Sequence, residues 1–338
     1  LSGYRKQTVV KIPSLRFATV IIKTPVLVCA RLRWNEMETT VFKDYRVSRL
    51  MLGTAQFGLS YGVANRAGQP SFETVREIVK TALDGGVTGF DTAGAYGNSE
   101  EALGRVLQDL GAGDQLVVTK VTPLNAEETA DSEKARRAIE KSVENSLKQL
   151  KLDCLPVVLF HREADARYLD VLLQLRERGW LRYAGVSCDN RPGFAAHAVD
   201  DHRVAALQLP GNLLDRRHCR SGVFRQAAAS GIGVFIRSVY LQGLLVMPEE
   251  SIPENLHEAL PVRRKLATIA EQAGLTAAEL AVRYMLSQEG VTSLLTGVEC
   301  VKHVRENIDI FNRGPLPCDV LATVDAGVPE LEDDILTP

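Results

Sequence analysis

From Arg46 onward the chain alternates short apolar runs with amphipathic stretches. The runs RLMLGTA (49–55), VTGFDTA (87–93), QLVVTKV (115–121) and LPVVLFH (155–161) are followed by YAGVS (183–187), VAALQL (204–209), GVFIRS (233–238) and TSLLTGV (292–298). Their apolar positions are continuous rather than alternating, the pattern of strands covered on both faces, as in a parallel sheet. Between them the period is helical. Val75, Ile78, Val79, Ala82 and Leu83 share one face ahead of Gly85-Gly86, and Ile139, Val143, Leu147 and Leu150 form a second stripe. Asn98 with Glu101, and Thr276 with Glu279, have the spacing of capping boxes.

Eight strand–helix units within about 300 residues predict an α/β chain folded as a single-domain (β/α)8 TIM barrel. The runner-up, a doubly wound open sheet, lacks its dinucleotide loop: the glycines of GTAQFGLSYG after the first run are wrongly spaced for G-x-G-x-x-G. The barrel is expected over residues 37–316, with 317–338 as a C-terminal tail. Residues 1–36 read as an extension outside the fold. Their apolar stretch FATVIIKTPVLVCA (17–30) is split by Lys23 and Pro25 into pieces too short to span a bilayer, and a degenerate secretory signal is the alternative.

Of the 338 residues 45% are hydrophobic and 24% charged, and the net charge of −2 gives no electrostatic case for nucleic acid or an anionic membrane. The mixed charges of EKARRAIEK (133–141) read as a solvated helix face. The six cysteines show neither C-x-x-C pairing nor a metal pattern and read as buried thiols of a reducing cytoplasm; no metal site is expected.

In a (β/α)8 barrel the chemistry sits on the loops at the carboxyl ends of the strands. Asp91 and Tyr96 follow the second run, Lys120 ends the third and His161 ends the fourth. A tyrosine, with a reference pKa of about 10, becomes a usable acid beside an ammonium, and a carboxylate keeps that ammonium charged and placed. A histidine can orient a substrate oxygen for proton transfer. Each residue alone reads more simply as a loop hydrogen bond or ion pair; the four on adjacent strand ends point to acid–base chemistry.

Together the segments LGTAQFG (52–58), GFDTAGAYGNSEEALG (89–104), VVTKV (117–121), LFH (159–161), AGVS (184–187) and LQLPGNLLD (207–215) resemble the aldo-keto reductases over residues 42–311. The resemblance implies reduction of an aldehyde or ketone, or the reverse, with an extended nicotinamide cofactor. Tyr96 would be the proton donor, Lys120 and Asp91 its support, and His161 the carbonyl-orienting group. It also implies cofactor contacts from Ser187, Gln208, Arg237, Ser238, Gly297, Glu299, His303 and Asn307.

This chain departs from the family pattern at two places. Cys188 stands where an asparagine follows the serine, and Arg237 stands where many members stack a tyrosine ring on the nicotinamide. An arginine there can stack on the ring, attract an anionic substrate, or simply pair with a loop carboxylate. The cofactor expected from the family is NADP (NADPH), with NAD as the alternative because Glu299 would repel a 2′-phosphate; Val298 aligns with the same clamp, and Lys302 and Arg305 lie close enough in sequence to compensate. The polar first loop, FGLSYGVANRAG (57–68), and Arg237 lean toward a polyhydroxy or anionic small-molecule carbonyl substrate. The competing classes are a redox-sensing regulatory protein that uses the same barrel, and a barrel hydrolase or isomerase; the latter needs a metal cluster or paired carboxylates that the strand ends lack. Neither a nucleic-acid nor a membrane partner is expected, and the sequence assigns no oligomeric state.

Overall fold

Ten strands organise the computed structural model, which describes residues 37–65, 68–329, 331, 335 and 336. The expectation for residues 1–36 lies outside them. A hairpin, β1 (Thr39–Phe42) and β2 (Tyr45–Ser48), precedes the barrel. The barrel strands are β3 (Leu50–Gly53), β4 (Gly89–Asp91), β5 (Leu116–Val121), β6 (Leu155–Phe160), β7 (Leu181–Ser187), β8 (Ala206–Pro210), β9 (Gly233–Arg237) and β10 (Ser293–Gly297). All pair in parallel in chain order, and β10 closes on β3 with Leu294 opposite Leu50 and Gly297 opposite Gly53. Each falls on one of the eight apolar runs. The chain is thus a (β/α)8 barrel.

The continuous apolar runs are explained by two cores. Leu50, Leu52, Phe90, Val117, Val158 and Phe160 face outward and pack beneath the helices. Met51, Val118, Val157, Leu159, Phe235 and Leu295 face inward and fill the barrel. The hairpin, which the sequence pattern does not single out, plugs the amino end. Phe42 enters with its ring edge-on to Phe235 and Tyr183, at centroid distances of 5.3 and 5.6 Å. Gly233 admits it, since a Cβ there would stand 2.4 Å from the Phe42 ring.

The outer helices largely follow their patterns. Ser71 caps the helix Phe72–Asp84, whose buried face is Val75, Ile78, Val79 and Ala82. Thr276 and Glu279 form the expected capping box. Asn98 and Glu101 do not: Asn98 has φ −95° and ψ 19°, outside the extended cap conformation, and its Oδ1 accepts instead from Gln69 Nε2 at 2.8 Å. The segment read as a tail contains a helix, Cys318–Gly327, with Val324 buried. Tyr284 donates to Asp325 at 2.8 Å, and the buried Arg216 donates to the Val328 carbonyl. Among the described residues no helix is long and apolar enough to cross a membrane.

Candidate active site

Side chains alternate across a strand, so the inward face that carries Met51, Val118, Val157, Leu159, Phe235 and Leu295 reaches the carboxyl rim as a defined set. Gly53, Asp91, Lys120, Ser187, Gln208, Arg237 and Gly297 lie on that face at or near the carboxyl ends of their strands, and His161 follows β6 in the same phase. Strand parity alone therefore brings an acid, a base, two amide or hydroxyl groups and a guanidinium to the floor of one cavity. The cavity has a volume of about 640 Å³.

Beneath this floor lies a buried ion pair. Lys120 and Asp91 are 1% and 4% exposed, which makes mutual pairing obligatory. Lys120 Nζ donates to both Asp91 carboxylate oxygens, at 2.7 and 2.8 Å, and to the Thr92 carbonyl at 2.8 Å. Burial pulls this lysine toward the neutral amine, but the Asp91 carboxylate and the Tyr96 phenol outweigh it and hold its pKa above the ordinary lysine value. The ammonium lies 5.1 Å from the Tyr96 ring centroid. The Tyr96 and His161 rings meet edge to face, with centroids 5.6 Å apart.

Burial, reinforced by Lys120, Arg237 and Arg162, lowers the His161 pKa from 6.5 to about 4. The ring is thus neutral near pH 7. Its Nδ1 is buried without a hydrogen-bond partner, which leaves Nε2 as the nitrogen open to the cavity. Two consequences are measurable. The imidazole signals of His161 should titrate near pH 4. Between about 4 and 6.5 the unfolded chain binds a proton that the folded chain does not, so stability should rise with pH across that window. His161→Gln should flatten this slope, and a midpoint near 6.5 in the folded protein would contradict the buried, neutral ring.

Of the residues singled out from sequence, Asp91, Tyr96, His161, Ser187, Gln208, Arg237, Ser238, Gly297, Glu299, His303 and Asn307 all line the cavity, with Lys120 beneath them. Several details differ from expectation. Gln208 Nε2 donates to Asp91 Oδ1 at 2.7 Å, tying this amide to the ion pair. The Cys188 thiol is buried among apolar side chains, where desolvation raises its pKa, so this position brings no polar group to the cavity. Cys188 is the one buried cysteine among the five described; Cys318 is exposed and the others are intermediate. Val298 is buried, while Lys302 and Arg305 are exposed and do not line the cavity. Among the described residues Arg237 pairs with no carboxylate; it donates to the Cys188 carbonyl at 3.0 Å and to Ser238 Oγ at 3.3 Å.

Two loops roof the cavity. Tyr61, Gly62, Ala64 and Asn65 come from the polar loop after β3, and Ser238–Gly243 follow β9. Ser238, Leu241 and Gln242 have φ of 64°, 48° and 53°, a cluster of non-glycine left-handed conformations of the kind found at ligand sites. The Gln242 carbonyl accepts from Ala64 N at 3.4 Å and joins the two loops. Sequence reasoning missed Gln56, Tyr240 and Glu306. Gln56 lies within the quoted GTAQFG segment just past a strand end, which was its available signal. Tyr240, which donates to Asn307 at 2.7 Å, and Glu306 have none without the fold.

The closed barrel with this acid–base group on its rim defines a carbonyl-reducing oxidoreductase of the TIM-barrel class. The comparison with known sequences gives the family: a sequence model of the Aldo/keto reductase family matches residues 49–328, and the chain belongs to that family. It is 27% identical over 309 residues to the L-glyceraldehyde 3-phosphate reductase of Escherichia coli O157:H7, covering 81% of this chain and 89% of that one. It is 30% identical over 291 residues to the aldo-keto reductase YhdN of Bacillus subtilis, covering 77% and 85%. The holo form of an aldo-keto reductase from Bacillus halodurans superposes with a TM-score of 0.70 at 21% identity, over 89% of this chain and 99% of that one.

Proposed function

We propose that the protein reduces a polar or anionic aldehyde or ketone to its alcohol, or catalyses the reverse, with Tyr96 giving and taking the proton. The observation that carries this reading is the buried Asp91–Lys120 pair set against Tyr96 and His161 at the inner end of one cavity.

The residues present fit a nicotinamide dinucleotide. The Ser187 hydroxyl, 4% exposed, lines the cavity without a side-chain partner among the described residues, and the helix Val301–Phe311 starts at Cys300 with no side-chain cap on its free N–H groups. Ser187, Gln208, Ser238, Gly297, Glu299, His303 and Asn307 would hold the cofactor. When bound, the reduced cofactor, NADPH or NADH, would supply a hydride to the carbonyl carbon, and the oxidised form would accept one in the reverse direction.

The chain's own residues do the rest. The His161 Nε2–H donates to the substrate oxygen and fixes its lone pairs toward the Tyr96 hydroxyl. As the C–O bond gains electron density, the phenol proton moves to that oxygen. The Lys120 ammonium stabilises the charge left on the phenolate, and Asp91 holds the ammonium in place. In the reverse direction the phenolate takes the alcohol proton.

Arg237 supports the polar substrate class, since its guanidinium faces the cavity without a carboxylate partner among the described residues. L-glyceraldehyde 3-phosphate, the substrate named for the Escherichia coli relative, is such a compound. Turnover of sugars, keto acids and neutral aldehydes with both cofactors tests the reading. Arg237→Ala should raise KM about tenfold or more for anionic carbonyl compounds, the scale of a lost charged hydrogen bond, and much less for neutral ones. Equal changes would assign Arg237 to the cofactor instead.

A further inference from the structure

The wall of the cavity that follows β10 is acidic. Glu299 and Glu306 both line it, together with His303 and Asn307. Among the described lining residues Arg237 is the one arginine and there is no lysine; Arg237 belongs to the floor beside His161. Glu299 has no basic partner among the described residues, and Glu306 has only the exposed Lys302. The Lys302 side chain is 79% exposed, and its nearest acidic partner is Glu306 at 3.6 Å. Arg305 is exposed and off the cavity wall.

A second group points to a ligand at the same place. Gln56 is 9% exposed, lines the cavity, and its amide makes no hydrogen bond within the described residues. It lies against Gly297, where a Cβ would stand 2.5 Å from Nε2. The amide is open to the cavity rather than sealed in the core, so its two donors and its acceptor are free for a ligand. The tight approach to Gly297 holds it beside the segment that leads to Glu299.

We propose that Gln56 and Glu299 form a reading pair for an unphosphorylated adenosine ribose, so that the protein takes NAD(H) in preference to NADP(H); this rests on the dinucleotide reading above. A free 2′,3′-diol donates hydrogen bonds to a carboxylate and both donates to and accepts from an amide. A 2′-phosphate presents only acceptors and about two negative charges, so the Glu299 carboxylate, which no cation pairs among the described residues, repels it. The N-terminal amides of Val301–Phe311 attract phosphate in general and do not discriminate between the cofactors.

Titration of NADH and NADPH with the full chain, followed by nicotinamide fluorescence, tests this without turnover. Wild type should bind NADH at least about tenfold more tightly, a difference of about 1.4 kcal/mol. Glu299→Arg should weaken NADH and strengthen NADPH, and Glu299→Gln should narrow the gap in the same directions by a smaller amount. Gln56→Ala should weaken NADH more than NADPH. Tighter NADPH binding by wild type, or a preference unmoved by both Glu299 variants, overturns the proposal. Binding of neither cofactor overturns the dinucleotide reading itself, a distinguishable failure.

Discussion

Tyr96→Phe is expected to leave cofactor affinity nearly unchanged while removing most carbonyl turnover. The substitution deletes one oxygen. The phenyl ring can keep its edge-to-face contact with His161, centroids 5.6 Å apart, and its place beside the Lys120 ammonium. What goes is the proton. A well-placed general acid is worth about 10²–10⁴-fold, so kcat should fall by that factor, with a much smaller change in the dissociation constant for reduced nicotinamide. His161 cannot substitute, since its depressed pKa of about 4 leaves it an N–H donor without an acidic proton to spare near neutrality. A variant that retains half of wild-type kcat would remove Tyr96 from the mechanism.

Lys120→Met should be damaging twice over. The methionine fills the volume, but Asp91 is left 4% exposed without its cation, its remaining side-chain donor being Gln208 at 2.7 Å. Breaking a buried pair by removing one partner costs about 3–5 kcal/mol, visible as a lower urea midpoint. Turnover should also collapse, because no ammonium then stabilises the phenolate. The two effects separate in the double variant Asp91→Asn/Lys120→Met. A neutral amide needs no cation, so much of the stability should return while activity does not. Recovery of turnover in the double variant would show that the pair serves folding alone.

The barrel was legible because its signal is redundant. Eight apolar runs, each short and doubly covered, leave few architectures, and the period of two then dictates which strand-end residues face inward. Asp91, Lys120, Gln208 and Arg237 were accessible by that logic. The hairpin was not, because β1 and β2 are four-residue strands and the pattern of Phe42 and Val47 is too brief to distinguish a plug from a loop. The cap at Asn98 had the right letters and the wrong backbone, since Gln69 from the preceding loop takes its side chain. Cys188 shows a further limit: a residue one step past the inward-facing Ser187 turns toward the helices, so alignment with a polar family position says nothing of where its side chain goes. Gln56 and Glu306 become visible only when the β3 loop and the last barrel helix are brought to one wall.

Closure of β10 on β3 has a bearing on self-association. Every barrel strand has two backbone neighbours, so the barrel offers no unpaired edge onto which another chain could add a strand. The edges of the two-stranded sheet are all that remain among the described residues, and β1 carries Val41, 73% exposed. If the barrel's amino end loosens, the first backbone groups to lose their partners are those of a β-branched hairpin already facing solvent. Aggregation under heat or mild denaturant is therefore expected to begin at that hairpin, and Val41→Lys should delay it without touching the chemistry at the opposite rim.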